Sequence, residues 1–484
     1  MNKRIIAGSL IWKLLERGGV QVTQFIVSII IARMLLPTAY GAVAILMIFI
    51  SIATVFVQSG LNTALIQKKD ADETDSSSVL IYSIIIAGII YSILFFSANT
   101  IAGFFNIPQL TSLLRVLALT LFPGAINAVQ LAILSKRMQF KKQFYASIIA
   151  CVISGGIGIA MAYNGYEAWA LVCQQLVSQI IICIVLSFLL DWRPKLVISF
   201  RRTQSLLSFG VKLLGARLID TLYHNLESLI IGKVFSAATL AFCNKGKQFP
   251  LTLIDNIDGS IQSVMLSAYS AKQDDRKTVK NMLRKTISMS TYIVFPAMII
   301  LAAVAKPMIV LLLGEQWIDA TPYLQLFCAI SMLFPLQTAD LQAINALGRS
   351  DIYFKLIAWK RCIGVILLIS SVIIWRSPFS VVIAALLVEI IAVLINVPAN
   401  RKVLNYSFKE MMSDILPNLC LSVMIGCICW SITLLISSNW LLLFAQCAIG
   451  SILYILVSIL AKNRNISYLI DFLPNSKVKN IIRI

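Results

Sequence analysis

The sequence predicts an all-α integral membrane protein of about 14 transmembrane helices, with two six-helix lobes around a central cavity and two appended helices. Three observations lead to this fold class. Long uncharged segments recur along the 484 residues, of which 59% are hydrophobic, and the mean hydropathy is +0.87. The loops between these segments alternate in charge, and motifs in the first half recur in the second.

Four segments show the membrane signal most clearly, because each runs roughly twenty residues without a charged side chain. They are Val79–Ala98, Phe144–Ala162, Leu419–Ile436 and Trp440–Leu460. At 1.5 Å per residue, roughly twenty helical residues cross the ~30 Å hydrocarbon layer. Backbone polar groups find no water in that layer, so these segments are predicted to be helices.

The loop charges predict the orientation. The odd-numbered connections are short, and among them only Arg376 is basic, whereas the even-numbered connections and both ends carry clusters such as Lys136, Arg137, Lys141 and Lys142. By the positive-inside rule, the basic loops and both termini are cytoplasmic. The first apolar segment is expected to be a retained helix, because no small-residue cleavage site follows a short hydrophobic region.

The composition excludes several classes of function. The net charge of +20 is explained by orientation signals and attraction to anionic membrane lipids, so nucleic acid is not an expected partner. The ten cysteines lie in apolar segments and His224 is the only histidine, so no metal site or cofactor is expected. No phosphate-binding loop and no loop large enough for a catalytic domain is found, so the chain is predicted not to be an enzyme.

An internal repeat predicts the domain organisation. Leu121-Phe122-Pro123 recurs as Leu333-Phe334-Pro335, and Lys13-Leu14-Leu15 recurs as Lys212-Leu213-Leu214. Six crossings return the chain to its starting side, so the two copies form a parallel repeat. The predicted lobes are residues 1–200 with helices one to six and 201–404 with helices seven to twelve. Residues 405–484 then hold helices thirteen and fourteen and a basic cytoplasmic tail.

Charged residues inside the predicted membrane helices are the candidates for a substrate path, because each costs about 2.5–3.5 kcal/mol at a helix centre unless it faces a cavity or a partner. They are concentrated in helices one, seven and eight. The predicted lining residues are Lys13, Arg17, Gln21, Gln24, Arg217, His224, Lys245 and Lys247. A net-basic lining suits a large hydrophilic anion. In the alternative interpretation these charges pair within the protein, or snorkel to the interface.

Four intramembrane carboxylates are candidates for binding a coupling proton or sodium ion: Asp220, Asp258, Asp340 and Glu389. Each has the alternative role of partner to a nearby basic residue. His224 has two interpretations as well, because it is either a group that titrates near neutral pH or a hydrogen-bonding residue of the polar stripe.

Four segments of the chain carry recognisable motifs. In order, they are Ile31–Gly41, Ile231–Leu240, Gly314–Trp317 and Ala346–Asp351. They resemble motifs of the Wzx-type polysaccharide flippases. The first segment, which closes helix one and opens helix two, is similar to "LARLLGPxxYG", and its second-half counterpart is similar to "IGxxLGxxxLG", with departures at Ser236 and Ala241. The third and fourth segments resemble "GEKW" and "ALGRxD".

The resemblance implies the fold of the multidrug/oligosaccharidyl-lipid/polysaccharide exporter superfamily. It implies movement of an undecaprenyl-pyrophosphate-linked oligosaccharide from the inner to the outer leaflet of the bacterial inner membrane, with polysaccharide polymerase machinery as a further partner. Alternatives within the superfamily are a lipid II flippase and a drug or ion antiporter. An integral membrane polymerase or glycosyltransferase is the alternative of another class, and the short, nearly uncharged outer loops disfavour it.

Overall fold

The computed structural model describes residues 3–58, 65, 72–194, 200–461, 463 and 465–466. Within that part, the side chains of residues 3–11, 13–17, 200–213, 260 and 263 are not described. Every regular element in the described part is helical, which confirms the predicted all-α class. The chain divides into two compact units, Met1–Ala241 and Phe242–Ile484.

The first unit holds seven long helices and the start of an eighth. They are α1 (Lys3–Met34), α2 (Pro37–Gln58), α3 (Glu73–Phe105), α4 (Leu110–Lys136), α5 (Phe140–Tyr163), α6 (Ala168–Leu189), α7 (Phe200–Val234) and the first turn of α8 (Ala237–Ser270).

The second unit holds the rest of α8 and six further long helices. They are α9 (Arg276–Ala303), α10 (Thr321–Ala346), α11 (Ser350–Trp375), α12 (Pro378–Leu404), α13 (Phe408–Ile432) and α14 (Asn439–Leu460). A short helix, Ala305–Leu312, and a 3₁₀ segment, Glu315–Ala320, connect α9 to α10.

Eleven of the described helical stretches are long and apolar enough to cross a membrane. The long helices that fall outside this set are α1, α7 and α8, which are 32, 35 and 34 residues long. They fall outside it because they carry the polar and charged residues noted above. The multi-pass character is thus confirmed, while the number of spans stays a prediction.

Several helices extend beyond the segments read from hydropathy. The uncharged segment Val79–Ala98 is part of a longer helix, because α3 continues to Phe105 and ends where Asn106 adopts a left-handed conformation with φ 57°. Asn99 and Thr100 are poor helix formers, but this weak preference is overridden by the packing of the helix. Likewise, the basic residues Lys280 and Arg284 lie in a helix and not in a loop, because α9 begins at Arg276.

The proline of the first repeated motif coincides with a local change of helix type. Within α4, residues Ala118–Thr120 form a 3₁₀ turn just before Leu121-Phe122-Pro123. Pro123 lacks an N–H group and its ring crowds the carbonyl of Leu119, so the backbone tightens there. Its counterpart Pro335 lies inside α10 without such a turn.

In the first unit, α2 packs closely against the end of α7 and the first residue of α8. A Cβ atom added to Gly41 would overlap the backbone carbonyl of Ala237, and one added to Gly232 would lie 3.2 Å from the side chain of Ile45. The Asn225 amide also donates a hydrogen bond of 3.1 Å to the Ser51 hydroxyl. Small residues permit this approach of two helix backbones.

In the second unit, α9 packs against α10 and α13, and α12 packs against α10 and α11.

The N-terminus of α9 is capped by Asp275. The Asp275 carboxylate accepts hydrogen bonds of 3.0 and 2.6 Å from the Thr278 N–H and hydroxyl. These bonds lower the pKa of Asp275. Ser407 and Glu410 form a capping box at α13. The appended helix α13 thus packs against α9 within the second unit.

Candidate functional site

The polar stripe of α7 is solvent-accessible in the first unit. Arg217, Asp220 and His224 are exposed, with 58% of the Asp220 side chain and 63% of the His224 side chain accessible. His224 Nε2 lies 3.5 Å from Asp220 Oδ1. Asn225, bonded to α2, lies on an adjacent part of the helix surface. Packing on α2 thus holds α7 with its charged stripe accessible.

The predicted lining residues of α1 are only partly described. Gln21 is half-buried and Gln24 is exposed. The backbone of Lys13 and Arg17 is helical, but their side chains lie outside the described residues. Their place on the polar face of α1 stays a prediction from their spacing.

The two lysines predicted on α8 differ in burial. Lys245 is 7% exposed, and its Nζ donates a hydrogen bond of 3.2 Å to Gln248 Oε1. Lys247 is half-buried, with Nζ 5.4 Å from the centre of the Phe327 ring. Within the second unit, then, both side chains pack against protein groups, and Lys247 has a cation–π contact.

Asp340 is the most deeply buried of the four candidate carboxylates. It is 0% exposed at the interface of α10 and α12. Asn396 Nδ2 lies 3.4 Å from Asp340 Oδ2, and Asn400 also hydrogen-bonds the carboxylate. Amide groups from one face of α12 thus surround an acid on α10.

Glu389 belongs to a neighbouring polar group in the same unit. The Gln337 amide donates to Glu389 Oε2, and Lys360 Nζ donates a hydrogen bond of 3.3 Å to Gln337 Oε1. The glutamine therefore connects a lysine of α11 to a glutamate of α12. Lys360 supplies positive charge close to both Glu389 and Asp340.

The two remaining candidate carboxylates are placed differently. Asp258 accepts a hydrogen bond of 3.2 Å from the Thr338 hydroxyl, which connects α8 to α10 in the second unit. Asp220 is accessible beside His224 on α7, in the first unit. The sequence predicts the same role, binding of a coupling ion, for all four carboxylates. In the structure Asp220 is exposed in the first unit, whereas the other three make contacts between helices of the second unit.

Sequence reasoning missed Asn396, Asn400 and Gln337. A signal for them exists, because Glu389, Asn396 and Asn400 are spaced by seven and four residues, which places them on one face of α12. In α10, Gln337 and Asp340 are three residues apart and so share a face as well. The predicted site residues in these helices were chosen by charge, so the neutral amides were not among them.

A cavity of about 680 Å³ lies elsewhere in the second unit, between α9, α13 and the end of α14. Its polar lining includes Arg284, Asp414, Asn418 and Asn463. None of the residues predicted to contact substrate lines it.

Comparisons with solved structures show which proteins share this fold. In fold, the chain matches the lipid II flippase MurJ in an inward closed conformation, with a TM-score of 0.72, 15% identity, and coverage of 94% of this chain and 99% of that one. It also matches a multidrug resistance MATE family transporter of the MOP superfamily, with a TM-score of 0.61, 13% identity, and coverage of 81% and 98%. The chain therefore shares its fold with these two proteins.

The sequence comparisons narrow this class to a family. The profile described as "Polysaccharide biosynthesis protein" matches residues 30–322, so the chain belongs to that family. It is 22% identical over 354 residues to the succinoglycan biosynthesis transport protein ExoT of Rhizobium meliloti (strain 1021), covering 73% of this chain and 72% of the relative. It is 22% identical over 333 residues to the lipopolysaccharide biosynthesis protein WzxC of Escherichia coli (strain K12), covering 68% of each. The predicted membership of a polysaccharide biosynthesis family is confirmed.

Proposed function

We propose that this protein moves a lipid-linked oligosaccharide from the cytoplasmic to the outer leaflet of a bacterial inner membrane. The family and the transport proteins it resembles support this function. The fold is shared with proteins named as a lipid flippase and as multidrug transporters, so the fold alone does not choose between these substrates.

The observation that carries the proposal is the charged stripe of α7. Arg217, Asp220 and His224 are accessible on a 35-residue helix of a multi-pass protein. Such groups are too costly to face hydrocarbon, so this face lines a hydrated path through the membrane. A glycan and its phosphates need such a path, whereas the lipid tail stays in the bilayer.

The charges within the membrane favour an anionic headgroup. Lys13, Arg17 and Arg217 of the first unit are the cations we assign to the path. Arginine binds phosphate oxygens with two donors while keeping its charge. Cationic drugs would instead favour a net-acidic lining. A drug antiporter is therefore less favoured than a flippase of an anionic lipid-linked oligosaccharide.

A genetic experiment tests the proposal. Cells lacking the protein should accumulate a lipid-linked oligosaccharide whose glycan remains on the cytoplasmic side, and the wild-type gene should clear it. A surface polysaccharide made at normal level without such accumulation would contradict the proposal. Accumulation of unfinished lipid-linked sugars would point to a glycosyltransferase or polymerase instead.

A further inference from the structure

A pocket of about 270 Å³ lies in the first unit, between the start of α3, the end of α4 and the segment that follows α6. Its apolar lining includes Leu65, Ile133 and Trp192, which belong to one buried core cluster. By the positive-inside rule this end of the unit is cytoplasmic, at the depth of the lipid headgroups. The volume is below that of most drug-sized ligand sites, so it suits a small polar group.

The charged residues of the pocket form two pairs of opposite sign. Asp72 and Glu73 lie at the N-terminus of α3, whereas Lys136 and Arg137 lie at the C-terminus of α4. All four residues are exposed, and each pair complements the dipole of its own helix. A ligand with a single charge would be attracted by one pair and repelled by the other. A ligand that carries both charges a few bonds apart matches the whole pocket.

Hydrogen bonds hold two walls of the pocket in place. Asp72 Oδ1 accepts a bond of 2.8 Å from the Asp75 N–H, and Asp75 Oδ2 accepts one of 3.2 Å from the Asp72 N–H, which completes a capping box. After α6, Arg193 Nη1 donates bonds of 2.6 and 3.2 Å to the carbonyl oxygens of Leu190 and Trp192. The pocket is therefore formed before any ligand binds.

Trp192 supplies a donor that lacks an acceptor. The residue is 4% exposed, and its indole Nε1 has no hydrogen-bond partner in the part of the chain that the structure describes. Buried polar atoms are nearly always paired, and an indole N–H can only donate. An acceptor oxygen of a ligand in the pocket would satisfy this group after a small turn of the ring.

We propose that this pocket binds a phosphoethanolamine group, either of a phospholipid in the cytoplasmic leaflet or of a water-soluble glycerophosphate ester. Lys136 and Arg137 contact the phosphate, to which Trp192 also donates, and the ammonium group donates to Asp72 and Glu73. An ionised carboxylate accepts about four hydrogen bonds, so the capping bond of Asp72 leaves capacity for a ligand. The bound group joins α3 to α4, and its binding does not depend on the proposed transport function.

Thermal unfolding of the purified full-length chain in a neutral detergent tests the pocket. Short-chain phosphatidylethanolamine should raise the Tm, because it binds the folded state. Phosphatidylcholine has no N–H on its ammonium group and phosphatidylglycerol has no ammonium group, so both should raise the Tm less. An equal rise with glycerophosphoethanolamine assigns the pocket to a soluble ester, and a rise with the phospholipid alone assigns it to the leaflet.

Variants test each half of the pocket separately. Arg137→Gln and Glu73→Gln should each weaken phosphatidylethanolamine binding about 10-fold in a titration of Tm, because each removes one charge-assisted contact. Lys141→Gln is the matched control, since Lys141 is an exposed basic residue near the start of α5 that does not line the pocket. It should bind as the wild type does. Trp192→Phe removes the indole N–H, so its rise with phosphatidylethanolamine should be smaller than that of the wild type.

Two results would overturn the proposal. The first is an equal response of the wild type to all three phospholipids, or no response to any of these compounds. The second is a wild-type response of Arg137→Gln and Glu73→Gln together with a lower Tm in the absence of lipid. That pattern would show that the charges around the pocket serve only the fold.

Discussion

Arg284 and Asp414 form a two-bond ion pair between α9 and α13. Arg284 Nε and Nη2 donate hydrogen bonds of 2.8 and 2.7 Å to the two carboxylate oxygens of Asp414. Lys280, one turn earlier, lies 2.8 Å from Glu410 of the α13 capping box. These pairs join α13 to α9 within the second unit, at its predicted cytoplasmic edge. A bidentate arginine contact adds orientation as well as energy.

Removing one partner of this pair should destabilise the protein. Asp414→Asn keeps the side-chain shape but loses the charge, and we expect a loss of about 1–3 kcal/mol in unfolding free energy. A double-mutant cycle with Arg284→Gln, measured by thermal or denaturant unfolding in detergent, should give a coupling energy of about 1–2 kcal/mol. Additive effects of the two single variants would show that the pair contributes nothing beyond its separate charges.

The basic residues just before and within α9 should have two different roles, membrane insertion and stability. Neutralising Lys272, Arg276 and Lys277 to glutamine should reduce membrane insertion, because these charges orient the second half of the chain. Neutralising Lys280 and Arg284 should instead lower the Tm, because both residues bond to α13. Insertion is measured with reporter fusions and Tm on purified protein. Equal effects of the two variants on both readouts would contradict this division.

The glycine of the α2 entry motif should tolerate no side chain. Gly41→Ala places a Cβ on the backbone carbonyl of Ala237, so the chain must shift, and we expect a cost of about 1–3 kcal/mol. Gly88→Ala in α3 is the matched control, because no atom lies within 4 Å of its added Cβ. The control should be neutral or slightly stabilising. Equal abundance and Tm of the two variants would show that the contact of α2 with the start of α8 does not limit stability.

Arg17 and Arg217 should be required for transport and dispensable for folding. Arg217→Ala should leave membrane abundance near that of the wild type and reduce export about 10- to 100-fold, the equivalent of one lost charge-assisted phosphate contact. Arg217→Lys should recover only part of the loss, and Arg17 variants should behave likewise. Arg376→Ala is the control, because Arg376 is exposed and its loop is predicted to lie on the outer side. Loss of abundance in proportion to loss of export would instead assign these arginines a structural role.

The orientation of the chain gives a further prediction. A single cysteine at Asn106, the left-handed residue that ends α3, should react with a membrane-impermeant thiol reagent from outside the cell in a variant whose native cysteines are replaced. A cysteine at Lys136, at the end of α4, should be protected until the membrane is opened. Labelling of Lys136→Cys alone would reverse the topology predicted by the positive-inside rule.

Much of the fold was predictable because the membrane limits what the backbone can do. Uncharged segments such as Phe144–Ala162 lie within observed helices, here α5, since helix is the state that satisfies their backbone in hydrocarbon. Helix ends were less predictable, because they depend on capping and not on hydropathy. The hydrogen bonds of Asp275 cap the start of α9, and the left-handed conformation of Asn106 ends α3. Both residues lie outside the apolar segments, so hydropathy does not predict where these helices begin or end.

The candidate site was predictable only in part, for a related reason. The cost of burying charge identified Asp340 and Glu389. The neutral amides of Asn396 and Gln337 carry no comparable cost, so their burial could not be predicted in the same way. Their roles depend on which helices meet, and the order of α10 and α12 along the chain does not reveal that contact. The tight approach of Gly41 to Ala237 likewise depends on tertiary packing.

Direct measurement of leaflet transfer tests the central claim. The purified chain is reconstituted into liposomes with a pyrophosphate-linked oligosaccharide lipid, and the fraction of glycan accessible to an external lectin or glycosidase is followed over time. We predict that vesicles containing the protein equilibrate the glycan between leaflets, and that vesicles containing Arg217→Ala do so far more slowly at equal protein content. Transfer at the protein-free rate with correctly folded wild-type chain, under sodium and proton gradients of either direction, would contradict the account.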